Sequence, residues 1–159
     1  MKAILFLVVL LMSTSVLKSQ LIIKLGVLEP IEKNILYNQN WFYPKYERYE
    51  ANASVLSTIN TKLVNCKIDI FMGTWCHDTK DNLPNFLKLF DVLNIPKENI
   101  TIYNIDKTKK RPRKYIKKFS IEYLPTVIFS DDKGELGRIV EYPYETIEKD
   151  ILKIFTENN

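Results

Sequence analysis

The sequence predicts an α/β domain: a mixed central β-sheet with helices on both faces. Three observations carry that expectation. An apolar run, Lys67 to Met72 (KIDIFM), is followed from Thr79 by an amphipathic stretch with Leu83, Phe86, Leu87, Phe90, Leu93 and Ile95 on one stripe. A second alternating segment, Asn99 to Asp106, follows that helix, giving a β-α-β unit. The chain then closes with Ile121 to Ser130, the turn DDKGELG, the strand RIVEYP and a helix over Thr146 to Asn159, a β-β-α unit.

The elements follow from local chemistry. Residues 1 to 19 have a secretory signal layout: Lys2, an apolar core of about ten residues, then STSVLKSQ. That core is shorter than the ~20 residues a bilayer span needs. A retained anchor is the alternative reading of the same stretch. Cleavage would lower the formal charge from +4 to +2 by removing Lys2 and Lys18, so a globally basic protein is not indicated. The expected organisation is a signal peptide at 1–19, an N-terminal extension at 20–42 and one domain at 43–159, in a secreted or periplasmic protein.

Within the extension, LIIKLGVLEPI reads as a strand ended by Pro30, and NILYNQNWFY as irregular. Tyr43 to Asn65 reads as one helix, with Pro44 in its first turn and Tyr46, Tyr49, Val55, Leu56, Ile59 and Leu63 near helical spacing. KIDIFM has the pattern of a strand buried on both faces, in which Asp69 is out of place. Either Asp69 faces a polar crevice or it tunes nearby chemistry. The helix after Thr79 contains Pro84, which removes a hydrogen bond and bends it. Pro125 cannot donate to a sheet ladder and so belongs at a strand start or an irregular edge.

Between Lys107 and Lys118 lie eight basic residues. They read as a solvated loop and the outer face of a short helix from Pro112 with Tyr115, Ile116 and Phe119 inward; a local site for anions or acidic partners is the alternative. Nothing there has the aromatic interleaving of a nucleic-acid module.

Candidate chemistry concentrates at Phe71 to Asp81, FMGTWCHDTKD, with one of the two cysteines and the only histidine at a strand-to-helix junction. A helix N-terminus favours the thiolate of a cysteine placed there, here Cys76. Cys66 sits at the other end of the strand, about 20 Å or more away at ~3.3 Å per residue. That exceeds disulfide reach, so two unpaired thiols are expected, with Cys66 a small buried apolar residue. One histidine and two separated cysteines do not make a structural zinc site, and no metal or cofactor is expected.

Taken together, Lys67 to Phe155 resembles the thioredoxin family. Trp75-Cys76 is similar to the WC of its active site, Pro84 to the proline of its active-site helix, Tyr103-Asn104-Ile105-Asp106 to its second central strand and turn, Leu124-Pro125-Thr126 to its cis-proline loop, and Gly134 to its hairpin glycine. The resemblance implies a thioredoxin-like three-layer sandwich in which Pro125 is cis, its loop faces Cys76, and the backbone of Leu124 and Thr126 pairs with an extended substrate. An ordinary trans Pro125 is the alternative.

The departures bear on mechanism. Thr79 stands where the family has its resolving cysteine, Ile70 where it has a buried acid, and no glycine appears near Glu141 or Tyr142. The WCxD-with-threonine pattern resembles a single-cysteine variant. Cys76 is then the nucleophile, with His77 and Thr79 as candidate stabilisers of its sulfur and Trp75 as an apolar platform; an exposed loop histidine and a plain helix-start threonine are the alternatives. The implied activity is monothiol thiol–disulfide exchange on protein or small-molecule disulfides, resolved by an external thiol, in a monomer that engages neither nucleic acid nor, once the signal is removed, membrane. The competing reading is a redox-inactive binding module using the groove between Trp75 and Pro125.

Overall fold

The computed structural model describes residues 26–27, 30–63 and 65–157. The signal-peptide segment lies outside them. A five-stranded sheet runs in the order β1 (Gly26–Val27), β3 (Ile100–Asn104), β2 (Lys67–Met72), β4 (Thr126–Asp131), β5 (Gly134–Val140). β2 and β3 are parallel, joined through helix α4 (His77–Val92); the other neighbours pair antiparallel. Around the sheet lie α1 (Pro30–Tyr37), α2 (Tyr43–Arg48), α3 (Ala53–Leu63), α5 (Arg113–Lys118) and α6 (Ile147–Glu157). This is the mixed α/β sandwich expected, with β2 spanning the predicted residues.

Alternation along the strands divides the core in two. Ile68, Ile70, Met72, Ile102, Val127, Phe129 and Ile139 point into a large cluster with residues of α1, α3, α4 and α6. Phe71, Tyr103, Ile105 and Ile128 point the other way, into a small cluster that α5 alone among the described helices covers, through Tyr115 and Ile116 with Phe119 just beyond its end. Phe71 stacks flat on Tyr103 at 4.4 Å between ring centroids, with Phe119 tilted against it at 5.0 Å. The inward triplet predicted for 107–118 is therefore what holds α5 down.

This asymmetry explains Asp69. β2 is buried on both faces only toward its C-terminal end, because α5 is too short to cover the rest. Asp69 lies on the α5 face below Phe71, half-buried, and accepts a hydrogen bond from Tyr103 OH at 2.9 Å. Burial raises its carboxyl above the usual range, opposed by the Tyr103 bond and the charges of Lys118 and Lys67. Ile70, by contrast, is fully buried on the α4 face.

The N-terminal part departs most from expectation. Residues 30–37 form a helix where a strand ended by Pro30 and then irregular chain are expected, and Leu36 and Phe42 are fully buried in the large cluster. The single helix read over 43–65 is two, α2 packing on α4 and α3 on α6. The break is imposed from afar: Glu148 on α6, 2% exposed, accepts hydrogen bonds from Asn52 N–H (2.7 Å) and Tyr49 OH (2.9 Å). Tyr49 is extended, and Asn52 Oδ1 then accepts from Ser54 N–H at 3.1 Å, capping α3.

Candidate functional site

β2 ends at Met72, and residues 73–76 turn the chain into α4 with Cys76 as its N-cap. Cys76 N–H donates to Gly73 O at 2.9 Å, and Cys76 C=O accepts from Lys80 N–H at 3.2 Å. The sulfur does not cap the helix. It is turned toward the opposite loop, where the thiol donates to Leu124 O at 3.4 Å. Leu124–Pro125 is a cis peptide bond, both residues are buried, and Pro125 O accepts from Glu141 N–H at 2.7 Å. Leu124 thus stands opposite the half-buried thiol, which is free, as is Cys66.

Trp75 is fixed rather than loosely packed. Its Nε1 donates to Ile105 O at 2.9 Å, and the indole joins the small cluster beside Cys76 and Leu124. The indole lies so close over Gly73 that a Cβ there would sit 2.6 Å from Nε1. Glycine at 73 is therefore a requirement of the site, and its place two residues before Trp75 is the one signal of it in the sequence.

Among the described residues neither Thr79 nor His77 bonds the Cys76 sulfur. Thr79 is fully buried, and its hydroxyl accepts from Gly73 N–H at 3.3 Å. Among the described residues it makes no bond to Cys76. It braces the 73–76 turn from beneath. His77 is exposed, with Nε2 3.1 Å from Asp81 Oδ2. Asp81 also takes Lys45, whose hydrogen bond is the main reason its carboxyl lies below the ordinary value. The imidazole is directed along α4, toward Asp81.

Thr126 opens β4 in register with Phe71 on one side and Val140 on the other, and its hydroxyl donates to Tyr123 O at 2.7 Å. It is committed to the sheet. Leu124 is not: among the described residues nothing pairs with its N–H. At the far end of β2, Cys66 is 3% exposed, and burial, with Asp131 nearby, pushes its thiol up to about 11. Clefts of about 820 Å³, between α1 and α4, and about 470 Å³, beside Cys66, lie away from Cys76. Among the described residues no group of three or more His, Cys, Asp or Glu is arranged to hold a metal ion, and no helix is long and apolar enough to cross a membrane.

A parallel β-α-β unit extended by an antiparallel β-β-α unit, with the thiol at the first helix and a proline loop opposite, defines a thioredoxin-like α/β fold. Solved structures of that kind align with the chain. It is similar to thioredoxin from Fasciola hepatica (18% identity over 67% of this chain and 93% of that one, TM-score 0.41). It is also similar to mitochondrial thioredoxin 3 from Saccharomyces cerevisiae (19%, 69% and 98%, TM-score 0.41). An HIV epitope scaffold aligns over 82% of this chain and 88% of its own at 18% identity and a TM-score of 0.50. No family model and no curated protein matches the sequence.

Proposed function

We propose that the protein is a monothiol thiol–disulfide oxidoreductase acting outside the cytoplasm, with Cys76 as nucleophile. The observation that carries the reading is the juxtaposition of the Cys76 thiol, at the start of α4, with Leu124 of the cis-proline loop at 3.4 Å. A disulfide substrate in extended conformation would pair with the unoccupied Leu124 N–H and present its sulfur to Cys76. The Cys76 thiolate attacks one sulfur of R–S–S–R′, forming Cys76–S–S–R and expelling R′–S⁻. An external thiolate then attacks the R sulfur, regenerating Cys76 and leaving R joined to the resolving thiol. A second external thiol completes the two-electron reduction. Thr79 supplies no second sulfur, so both electrons come from outside. Trp75 forms an apolar wall beside the reacting sulfur. The signal-like pattern of residues 1–19 supports an extracytoplasmic location.

The half-buried, hydrogen-bonded state of the Cys76 sulfur favours one competing reading, a binding module in which the same groove holds a peptide without reacting. Intact-mass analysis of the Cys66→Ser protein after exposure to a dimeric disulfide peptide separates the two. The expected result is one peptide adduct, absent in Cys76→Ser and removed by reduced glutathione. Folded protein that forms no adduct overturns the catalytic reading.

A further inference from the structure

Eight of the chain's 23 Lys and Arg fall in one short segment, 106–118, whose inward residues share the small cluster with Cys76. Residues 106–118 carry eight Lys and Arg against one carboxylate, Asp106, while the whole chain has a net charge of only +4; the remainder is therefore net acidic. Charge so segregated creates a local field that the overall balance hides.

The segment is built into the rim of the site. Asp106 Oδ1 accepts from the amides of Lys110 and Arg111, both at 2.8 Å, Thr108 donates to Oδ2 at 2.6 Å, and Asp106 N–H returns to Arg111 O at 3.0 Å. The one carboxylate of the segment is thus consumed in shaping the loop. On one side the loop follows directly from Ile105, whose carbonyl holds the Trp75 indole. On the other, Lys109 Nζ donates to Glu122 O at 3.1 Å and lies 5.3 Å from the centroid of the Tyr123 ring, one residue before Leu124. The loop therefore bridges the two segments flanking Cys76. α5 continues it, with Tyr115 and Ile116 packed in the same small cluster as Cys76 and with Arg113, Lys114, Lys117 and Lys118 exposed. The carboxylates around the site are placed differently: Asp81 is paired with Lys45 and His77, Asp78 lies on α4, and Glu122 and Glu141 flank the proline loop. None of them belongs to 106–118; Asp69, on the α5 face near Lys118, is half-buried and bonded to Tyr103 OH.

We infer that the loop and α5 form an electrostatic docking surface for an acidic protein segment, so that the disulfide delivered to Cys76 is one flanked by aspartate and glutamate. The inference rests on the proposed function and names its substrate class. Exposed cations on a fixed loop guide an oppositely charged chain mainly by raising its association rate, an effect that salt suppresses.

The test uses the full chain and three peptide disulfides that differ only in flanking residues, acidic, neutral or basic, with mixed-disulfide formation timed in low and high salt. In low salt the acidic peptide should react about tenfold faster than the neutral one, and the basic one slower, with the differences collapsing at high salt. Lys110→Glu with Lys114→Glu should bring the acidic-to-neutral ratio to about one. Lys62→Glu with Lys133→Glu, at the opposite end of the sheet, should leave that ratio high. Equal rates for the three peptides, or the same loss from the distant pair, would overturn the inference while leaving the catalytic reading standing. If no peptide reacts, the catalytic reading fails, and a cysteine-free acidic peptide titrated onto Cys76→Ser decides the docking surface by itself. Salt-sensitive binding lost in Lys110→Glu with Lys114→Glu supports it, and no binding refutes it. A single-stranded oligonucleotide or vesicles of anionic lipid binding more tightly than the peptide would also refute it.

Discussion

Gly73→Ala is the perturbation that most directly probes how the site is held. The new Cβ would stand 2.6 Å from Trp75 Nε1 and 2.7 Å from Cε2, closer than real Cβ contacts come. The indole is the atom group that must yield, and it is tied by its 2.9 Å bond to Ile105 O and by the cluster around Leu124. Losing that bond costs about 1 kcal/mol. Overpacking an already close-packed contact adds about 1–3 kcal/mol. The sum, about 2–4 kcal/mol, corresponds to a fall in Tm of roughly 4–16 °C for a chain of this size. Thermal unfolding followed by circular dichroism measures it directly. Trp75→Phe removes the N–H and shortens the ring, so Gly73→Ala should cost at least about 1 kcal/mol less in that background than in the parent. A Tm within about 2 °C of the parent, or costs that simply add, would refute the steric account of Gly73.

Two further substitutions test features distant in sequence. Burial alone would raise the Glu148 carboxyl, but hydrogen bonds led by that from Asn52 N–H outweigh it and hold it below the usual carboxylate range. An acid depressed in the folded state contributes stability that is present above its unfolded value and lost as pH falls through the folded one. Glu148→Gln should therefore lower Tm at pH 7 and flatten its decline below about pH 4.5; parallel Tm curves between pH 3 and 7 would contradict this. Glu141 holds φ at +63° in the left-handed region while its N–H reaches Pro125 O. Glu141→Gly should relieve about 1–2 kcal/mol of backbone strain against about 0.5–1 kcal/mol of added chain entropy, raising Tm by a few degrees; a lower Tm would count against it.

Much of the sheet and the site was legible because their signals are local. The apolar run of β2, the stripe of α4 and the inward Tyr115, Ile116 and Phe119 are each read within one element, and the Trp75-Cys76 and Leu124-Pro125 pairs mark two loops that the topology brings together. What was missed depends on contacts across the chain. No glycine or proline announces the break between α2 and α3, because Glu148, 96 residues from Asn52, makes it. Asn52 preceding Ser54 was nevertheless an available cap signal. Pro30 was read as ending a strand, yet proline suits a first helical turn equally well. The turn is shorter than DDKGELG suggests: β5 begins at Gly134, and a register irregularity at Phe129/Ser130 lets it start there.

Thr79 shows how far a resemblance carries a mechanism. The resemblance implies a vacant resolving-thiol position there, with the hydroxyl either serving the Cys76 sulfur or simply starting the helix. The side chain faces Gly73 N–H, and Gly73 O in turn holds the Cys76 amide. Thr79, Gly73 and Cys76 are thus one hydrogen-bonded turn, pressed from above by the Trp75 indole. A threonine here supplies a fixed acceptor in a fully buried place, which a thiol would do weakly. The position where a second thiol would stand is thus taken by a hydroxyl that braces the turn carrying the first. On the proposed chemistry, a disulfide formed at Cys76 needs a thiol from outside the protein, and selectivity would then reside in the surface around the Leu124 loop rather than in the interior beneath α4.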